Sequence, residues 1–283
     1  MKPILAIAAP ARAEAPYLLE WIAYHRVLGI QMFLIADNGG DDGTSELLRL
    51  LDRHRVIVRI DWSGQKYFQI AFLRQAIEQA RAFAGGLFLI DVDEFIRPLD
   101  GSLSVTQLAC SWLMDDSVGA VAINWAIFGS SGHQAAEDGL VIERFTMRAP
   151  QDCSINKHVK SFVRADRCAG PTDNPHAVKL ERGRYVDTAG EDVRWDESVV
   201  ARGIADQVLW NRIRIDHFVV KSREEFERKR ARGSVRSPDT EVQRGRENYF
   251  RAHDRNEVSD PMPEPLVRAT RTEIARLRAM LEG

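Results

Sequence analysis

Two aspartates separated by one valine, Asp91-Val92-Asp93, follow the apolar run from Leu87 to Ile90. On an extended chain residues i and i+2 point to the same side. The spacing therefore predicts two carboxylates facing one way at the end of a buried strand. Charges there are costly unless a cation or hydrogen bonds compensate them. A divalent metal, Mn²⁺ or Mg²⁺, bridging the pair to a diphosphate would do so. A pair of strand-end carboxylates capping the next turn is the competing reading.

Other polar clusters follow apolar runs in the same way. Asp37-Asn38-Gly39-Gly40-Asp41-Asp42-Gly43-Thr44 follows Met32 to Ala36. An acidic turn after a second strand can bond a ribose or a base edge. The same residue types favour turns and helix caps. The reading is Asp37 as a nucleotide contact and Asp42 to Thr44 as structure, with Thr44 capping the next helix. Pro10, Arg12 and Glu14 follow the first apolar run and should share the same crevice. His217, at the end of the run from Ile213 to Val219, is either a further metal ligand or a hydrogen-bonded rim residue.

Gly129-Ser130-Ser131-Gly132-His133 could bring backbone N–H groups close to a ligand. Ser131 and His133 are thus acceptor-site candidates, and a plain turn is the alternative. Trp125 and Trp195 could stack on a sugar ring or sit in the core. Lys160, Arg164 and Lys221 lie near expected strand ends and could neutralise phosphate. The basic stretch from Lys221 to Arg236 is interleaved with Glu224, Glu225 and Glu227, which predicts a solvated helix.

The elements that must position these residues are α/β. Ile4 to Ala9, Met32 to Ala36, Val56 to Ile60 and Leu87 to Ile90 read as strands. Glu14 to Leu28, Ser45 to Leu51 and Gln69 to Phe83 read as helices between them. That alternation predicts a mostly parallel sheet covered on both faces. Ligands of such sheets bind outside the carboxyl ends of the strands. The second half is less regular. Ser222 with Glu225 forms a capping box for the charged helix. Residues 238 to 265 are polar and poorly patterned, and an amphipathic helix closes the chain from about 265 to 281.

Composition narrows the function. A formal net charge of -2 gives no basic excess for nucleic acid. No run approaches 18 apolar residues, so no transmembrane helix is expected. The N-terminal segment reads as a first strand rather than a signal peptide, which favours a cytoplasmic enzyme; a membrane-borne acceptor would bring it to that surface. Cys110, Cys153 and Cys168 lack CxxC spacing and are expected as reduced thiols. There is no Gly-Lys-Ser/Thr phosphate loop, and no GxGxxG after the first strand.

Six blocks in order carry a resemblance. They are Ala13 to His25, Met32 to Thr44, Phe88 to Pro98, Trp125 to His133, Lys160 to Arg164, and Ile215 to Phe226. Together they resemble bacterial glycosyltransferase family 2-like proteins related to glycosyltransferase family 92. Arg12-Ala13 and Gly40 depart from the pattern, which bears on the donor's identity more than on the reaction class. The resemblance implies a GT-A-type, Rossmann-like fold with a C-terminal helical extension. It implies a nucleotide-sugar donor, usually UDP-linked, a divalent metal, and a carbohydrate or lipid-linked acceptor. It implies Asp91 and Asp93 on metal and ribose, His217 as a further ligand and Asp37 on the nucleotide. The expected division is a catalytic domain over 1–235 with residues 236–283 packed on it. If transfer inverts the anomeric carbon, a base must take the acceptor's proton, and His133 and Asp173 are the candidates. A sugar nucleotidyltransferase, or a non-catalytic nucleotide- or carbohydrate-binding protein, could share the fold. The first would normally carry a glycine-rich basic loop after strand one, where this chain has Ala9-Pro10-Ala11-Arg12-Ala13.

Overall fold

The computed structural model describes residues 4–101, 104–198, 203–245 and 247–283. Strand and helix alternate through β1 (Leu5–Ala11), α1 (Ala15–Val27), β2 (Met32–Asp37), α2 (Thr44–Arg53), β3 (Val58–Asp61), α3 (Gln69–Ala80) and β4 (Gly86–Leu89). Next come β5 (Glu94–Pro98), α4 (Thr106–Met114), β6 (Val118–Ile127), α5 (Val141–Arg144), β7 (Met147–Arg148) and β8 (Val159–Val163). The chain continues through β9 (Cys168–Pro171), β10 (Val178–Leu180), β11 (Arg184–Val186) and β12 (Ile213–His217). It closes with α6 (Arg223–Ala231), α7 (Pro238–Gly245), α8 (Glu247–His253), β13 (Val258–Ser259) and α9 (Glu264–Glu282).

The main sheet runs β3-β2-β1-β4-β8-β6-β12-β5, with β11 on β6. The first four are parallel. β8 lies antiparallel between β4 and β6, and β12 is parallel to β6 but antiparallel to β5. The fold is thus mixed α/β, with the expected parallel half at one end. Because β8 runs backwards, its amino end meets the carboxyl ends of β1, β4, β6 and β12 along one edge. That reversal adds residues just before β8 to the crevice.

β1 shows why both faces must be covered. All seven of its residues are buried. Leu5, Ile7 and Ala9 join a core with Trp21, Ile22 and Phe33, while Ala6 and Ala8 join a second core with Phe72, Leu73 and Ala76. Side chains alternate across a strand, so one strand feeds two apolar layers. α9 docks on the first layer through Leu266, Val267, Ile274 and Leu277, and Arg26 of α1 pairs with its Glu273 at 2.6 Å.

Two sequence expectations change here. Residues 238 to 265, which lack apolar periodicity, form α7, α8 and β13, and α7 and α8 rim the cavity described below. Thr44 does not cap its own helix, whose N-cap is Gly43 with φ 89°. Its hydroxyl instead accepts from the backbone N–H of Glu14 and Ala15 at 2.8 and 2.9 Å, satisfying the start of α1. None of the described helices is long and apolar enough to cross a membrane.

Candidate active site

Asp91 to Glu94 form a tight turn rather than an extended pair, since Glu94 N–H donates to Asp91 C=O at 3.1 Å. The two aspartates therefore face different partners. Asp91 accepts from Gln69 Nε2 at 2.8 Å and from Lys160 Nζ at 2.7 Å. Asp93 pairs with Lys229 Nζ, and His217 Nε2 lies 3.6 Å from Asp93 Oδ2. Lys229 also donates to Val219 C=O at 2.9 Å.

Burial alone would raise the Asp93 carboxyl, but the Lys229 ammonium beside it holds it well below the usual range. Burial lowers His217 against the pull of Asp93, so the ring stays neutral while Lys229 carries the positive charge of the group. Glu94 lies behind the turn. Burial raises its carboxyl to about 8 despite Lys160, and the charges of Asp91 and Asp93 add to the rise. Its Oε2 accepts from Asp91 N–H at 2.8 Å, and Oε1 is buried without a partner.

These groups open on a cavity of about 570 Å³. Pro10 enters it from the end of β1, Arg12 and Glu14 after β1, Asp91 to Asp93 after β4, Trp125 from β6, and His217 at the end of β12. Gln69, His158, His176, Lys229, Arg232, Arg236, Tyr249 and His253 complete much of the wall. Arg232 clamps the loop after β1, donating to Arg12 and Ala13 carbonyls and to Glu14 Oε1. Trp125 stacks against His158, with ring centroids 4.8 Å apart and planes at 15°, and packs on His217 at 4.2 Å.

The structure brings together Pro10, Arg12, Glu14, Asp91, Asp93, Trp125 and His217. It corrects the position of several other candidates. Asp37 lies outside the cavity lining and is fully buried. It accepts from Arg59 Nε at 2.6 Å, Ser45 Oγ at 2.7 Å and Gly39 N–H at 3.0 Å. Lys160 sits behind Asp91, held between Asp91 and Glu94. Lys221 points elsewhere, 4.1 Å above the Tyr17 ring.

The loop after β6 is a structural knot. Ser131 Oγ accepts from Thr146 and Met147 N–H at 2.9 and 3.0 Å. His133 bonds Arg144 C=O at 3.2 Å and Glu137 at 3.1 Å. Neither lines the cavity, and Asp173 is exposed outside it. Trp195 packs edge-on against Tyr185. All three cysteines are free thiols.

Sequence reasoning missed Gln69, His158, His176, Lys229, Arg232, Arg236 and the α7–α8 rim. Lys229 and Arg232 were legible in part. The two lie three residues apart on the charged helix and share a face, and Lys229 is buried where a solvated helix would expose it.

A divalent ion would find a half-site here. Asp93 and neutral His217 supply one oxygen and one nitrogen side by side, and His217 Nδ1 is buried without a partner. No three His, Cys, Asp or Glu side chains converge into a ready-made cage among the described residues. Mg²⁺-like ions are commonly held by one or two carboxylates plus substrate phosphates. The residues therefore fit an ion that arrives with a diphosphate.

Fold and cavity define an α/β protein with a deep, cation-lined cleft at the strand ends. The glycosyltransferase family 92 model matches residues 8–169, more than half of the chain, and the chain belongs to that family. A family 92 protein of Oryza sativa subsp. japonica is 30% identical over 165 residues, 57% of this chain and 27% of the rice protein. One from Arabidopsis thaliana is 28% identical over 179 residues, 60% of this chain and 30% of its own length. The chain thus spans under a third of the curated relatives it matches. Among solved structures, a mannosyltransferase from Pyrobaculum calidifontis, in complex with GDP-Man and Mn²⁺, aligns over 99% of this chain and 76% of its own. Its TM-score is 0.41 at 14% identity. S. aureus TarS in complex with UDP aligns over 57% of this chain and 47% of its own, with a TM-score of 0.39 at 10% identity. At those scores the superpositions are loose.

Proposed function

We propose that this chain transfers a sugar from a nucleoside diphosphate sugar, UDP-linked, to a hydroxyl of a glycan or lipid-linked acceptor, with inversion at the anomeric carbon. The observation that carries this reading is the meeting of the Asp91–Asp93 turn with Lys229, Arg232, Arg12 and Arg236 in one cavity at the strand ends. A carboxylate pair with cations around it suits a diphosphate bound with a hard metal ion. The family supports the reaction class, and the GT-A description is part of the same proposal.

Lys229 and Arg232 offer ammonium and guanidinium hydrogens to the phosphate oxygens. Asp91 is kept in place by Lys160 and Gln69. Asp93 and His217 would hold Mn²⁺ or Mg²⁺, which when bound neutralises charge on the departing diphosphate. Burial of Asp93 and His217 lowers the local dielectric and strengthens every charge contact there. The proposed setting is cytoplasmic, at or near the surface that presents the acceptor.

The test is turnover. UDP-sugars and GDP-sugars are offered with Mn²⁺ and a panel of glycans, and nucleotide release and product are measured. The expected result is release of UDP with one donor, dependent on metal, with proton NMR giving the inverted anomer. Folded protein that turns over no donor and binds neither UDP nor GDP would overturn the reading.

A further inference from the structure

The wall around Trp125 carries a second kind of chemistry. Trp125 is buried, with His158 stacked on the ring and His217 packed against it at a tilt. His176 meets it edge-on, 4.9 Å between centroids. What this wall presents to a ligand is therefore the polar edges of its imidazoles, with the indole N–H buried behind them.

Those atoms have fixed roles. His158 Nδ1 lies 2.9 Å from Ile155 C=O, and His176 Nδ1 lies 2.9 Å from Val159 C=O. A carbonyl can only accept, so each Nδ1 carries a hydrogen. In a neutral ring, the other nitrogen, Nε2, is then an acceptor. Burial keeps both rings below the ordinary imidazole pKa, and the nearby cations Lys160 and Arg236 push the same way. The Trp125 indole N–H is a buried donor with no partner. The wall thus holds two imidazole acceptors, 5.6 Å between their ring centroids, beside a buried indole N–H.

We infer that Trp125, His158 and His176 form the subsite for the donor's sugar ring, where His158 Nε2 and His176 Nε2 accept hydrogen bonds from two of its hydroxyls. The inference rests on the nucleotide-sugar reading above and assigns the part of the cavity that reads the sugar. The position fits: His158 lies two residues before Lys160, whose ammonium holds Asp91. A hydroxyl-rich ring there would be next to the carboxylate turn. Recognition by hydrogen-bond acceptors is selective, since a ring lacking the hydroxyl leaves a desolvated imidazole nitrogen unpaired.

The test separates sugar from nucleotide. Calorimetry with Mn²⁺ compares UDP with UDP-glucose, UDP-xylose and UDP-N-acetylglucosamine on the wild type, His158→Phe, His176→Phe and His176→Gln. Phenylalanine keeps a ring without the acceptor, and glutamine restores an acceptor oxygen. The expected result is that the best UDP-sugar loses about ten-fold in affinity with either phenylalanine, UDP alone is unchanged, and glutamine recovers part of the loss. If His176→Phe fails to fold, the half-buried His158→Phe carries the test. An unchanged ratio of UDP-sugar to UDP affinity in the folded phenylalanine variants would overturn the subsite. Failure of the wild type to bind UDP at all would instead strike the nucleotide reading itself.

Discussion

The turn after β2 and the turn after β4 look alike in sequence and differ in what their carboxylates do. Both follow buried parallel strands, and both begin with an aspartate. Asp37 uses its oxygens on Arg59, Ser45 and Gly39. Its neighbours Asp42 and Thr44 bond the first N–H groups of α1. That turn is a joint between helix and sheet. Asp91 and Asp93 are paired instead with lysines from distant elements, β8 and α6, around a cavity. Buried atoms of Glu94 and His217 there have no partner. Asp37 is bonded by its own turn, by Ser45 and by Arg59 of the neighbouring strand, away from the cavity, whereas Asp91 and Asp93 are balanced by lysines beside an open volume.

The largest effect should come from Asp93. Asp93→Asn removes the charge facing Lys229 and His217, and donor turnover should fall on the order of 10²- to 10³-fold, read as kcat with circular dichroism confirming the fold. A loss below three-fold would place the chemistry elsewhere. Asp37→Asn should reverse the pattern. It strips a charge from a buried pair with Arg59 and should cost about 2–3 kcal/mol in urea unfolding, with nucleotide affinity unchanged in the folded protein.

The helix before the first of these turns gives the next effect. His25 is buried in α1, with Nδ1 on Trp21 C=O at 2.8 Å and Nε2 accepting from Ile96 N–H of β5 at 3.2 Å. Burial lowers its pKa to about 3. The unfolded chain therefore gains a proton near pH 6.5 that the folded chain resists. Stability owed to His25 is intact above pH 6.5 and declines as the pH falls towards 3. Between pH 6.5 and 5 the loss should be about 2 kcal/mol. Unfolding at the two pH values should show it in the wild type, and His25→Gln should flatten that part of the slope. The smallest effect belongs to Thr44→Ala, which removes the hydroxyl capping α1 and should cost about 1 kcal/mol with turnover retained.

The alternation of strand and helix through β4 was legible because each strand is a short apolar run ending in a polar turn. The positions of Asp91, Asp93 and His217 were legible for the same reason, standing directly after β4 and at the end of β12, whereas the turn that makes the aspartates face different partners was not. The place of Asp37 outside the cavity was not legible, because a structural turn and a ligand turn use the same residue types, and its pairing with Arg59 on β3 leaves no local mark. Ser131 and His133 misled likewise, since the glycines around them allow either a ligand loop or the knot with Asp254 and Asn256. His158 was hidden for a topological reason. β8 runs antiparallel to its neighbours, so the residue just before it reaches the crevice, and nothing local in the sequence marks that reversal.

The most direct test is calorimetric titration of UDP, with Mn²⁺, into the wild type, Asp37→Asn and Asp93→Asn. The account predicts that the wild type and Asp37→Asn bind UDP with the same affinity while Asp93→Asn loses it. Equal binding by folded Asp93→Asn, or no binding by the wild type, would contradict it.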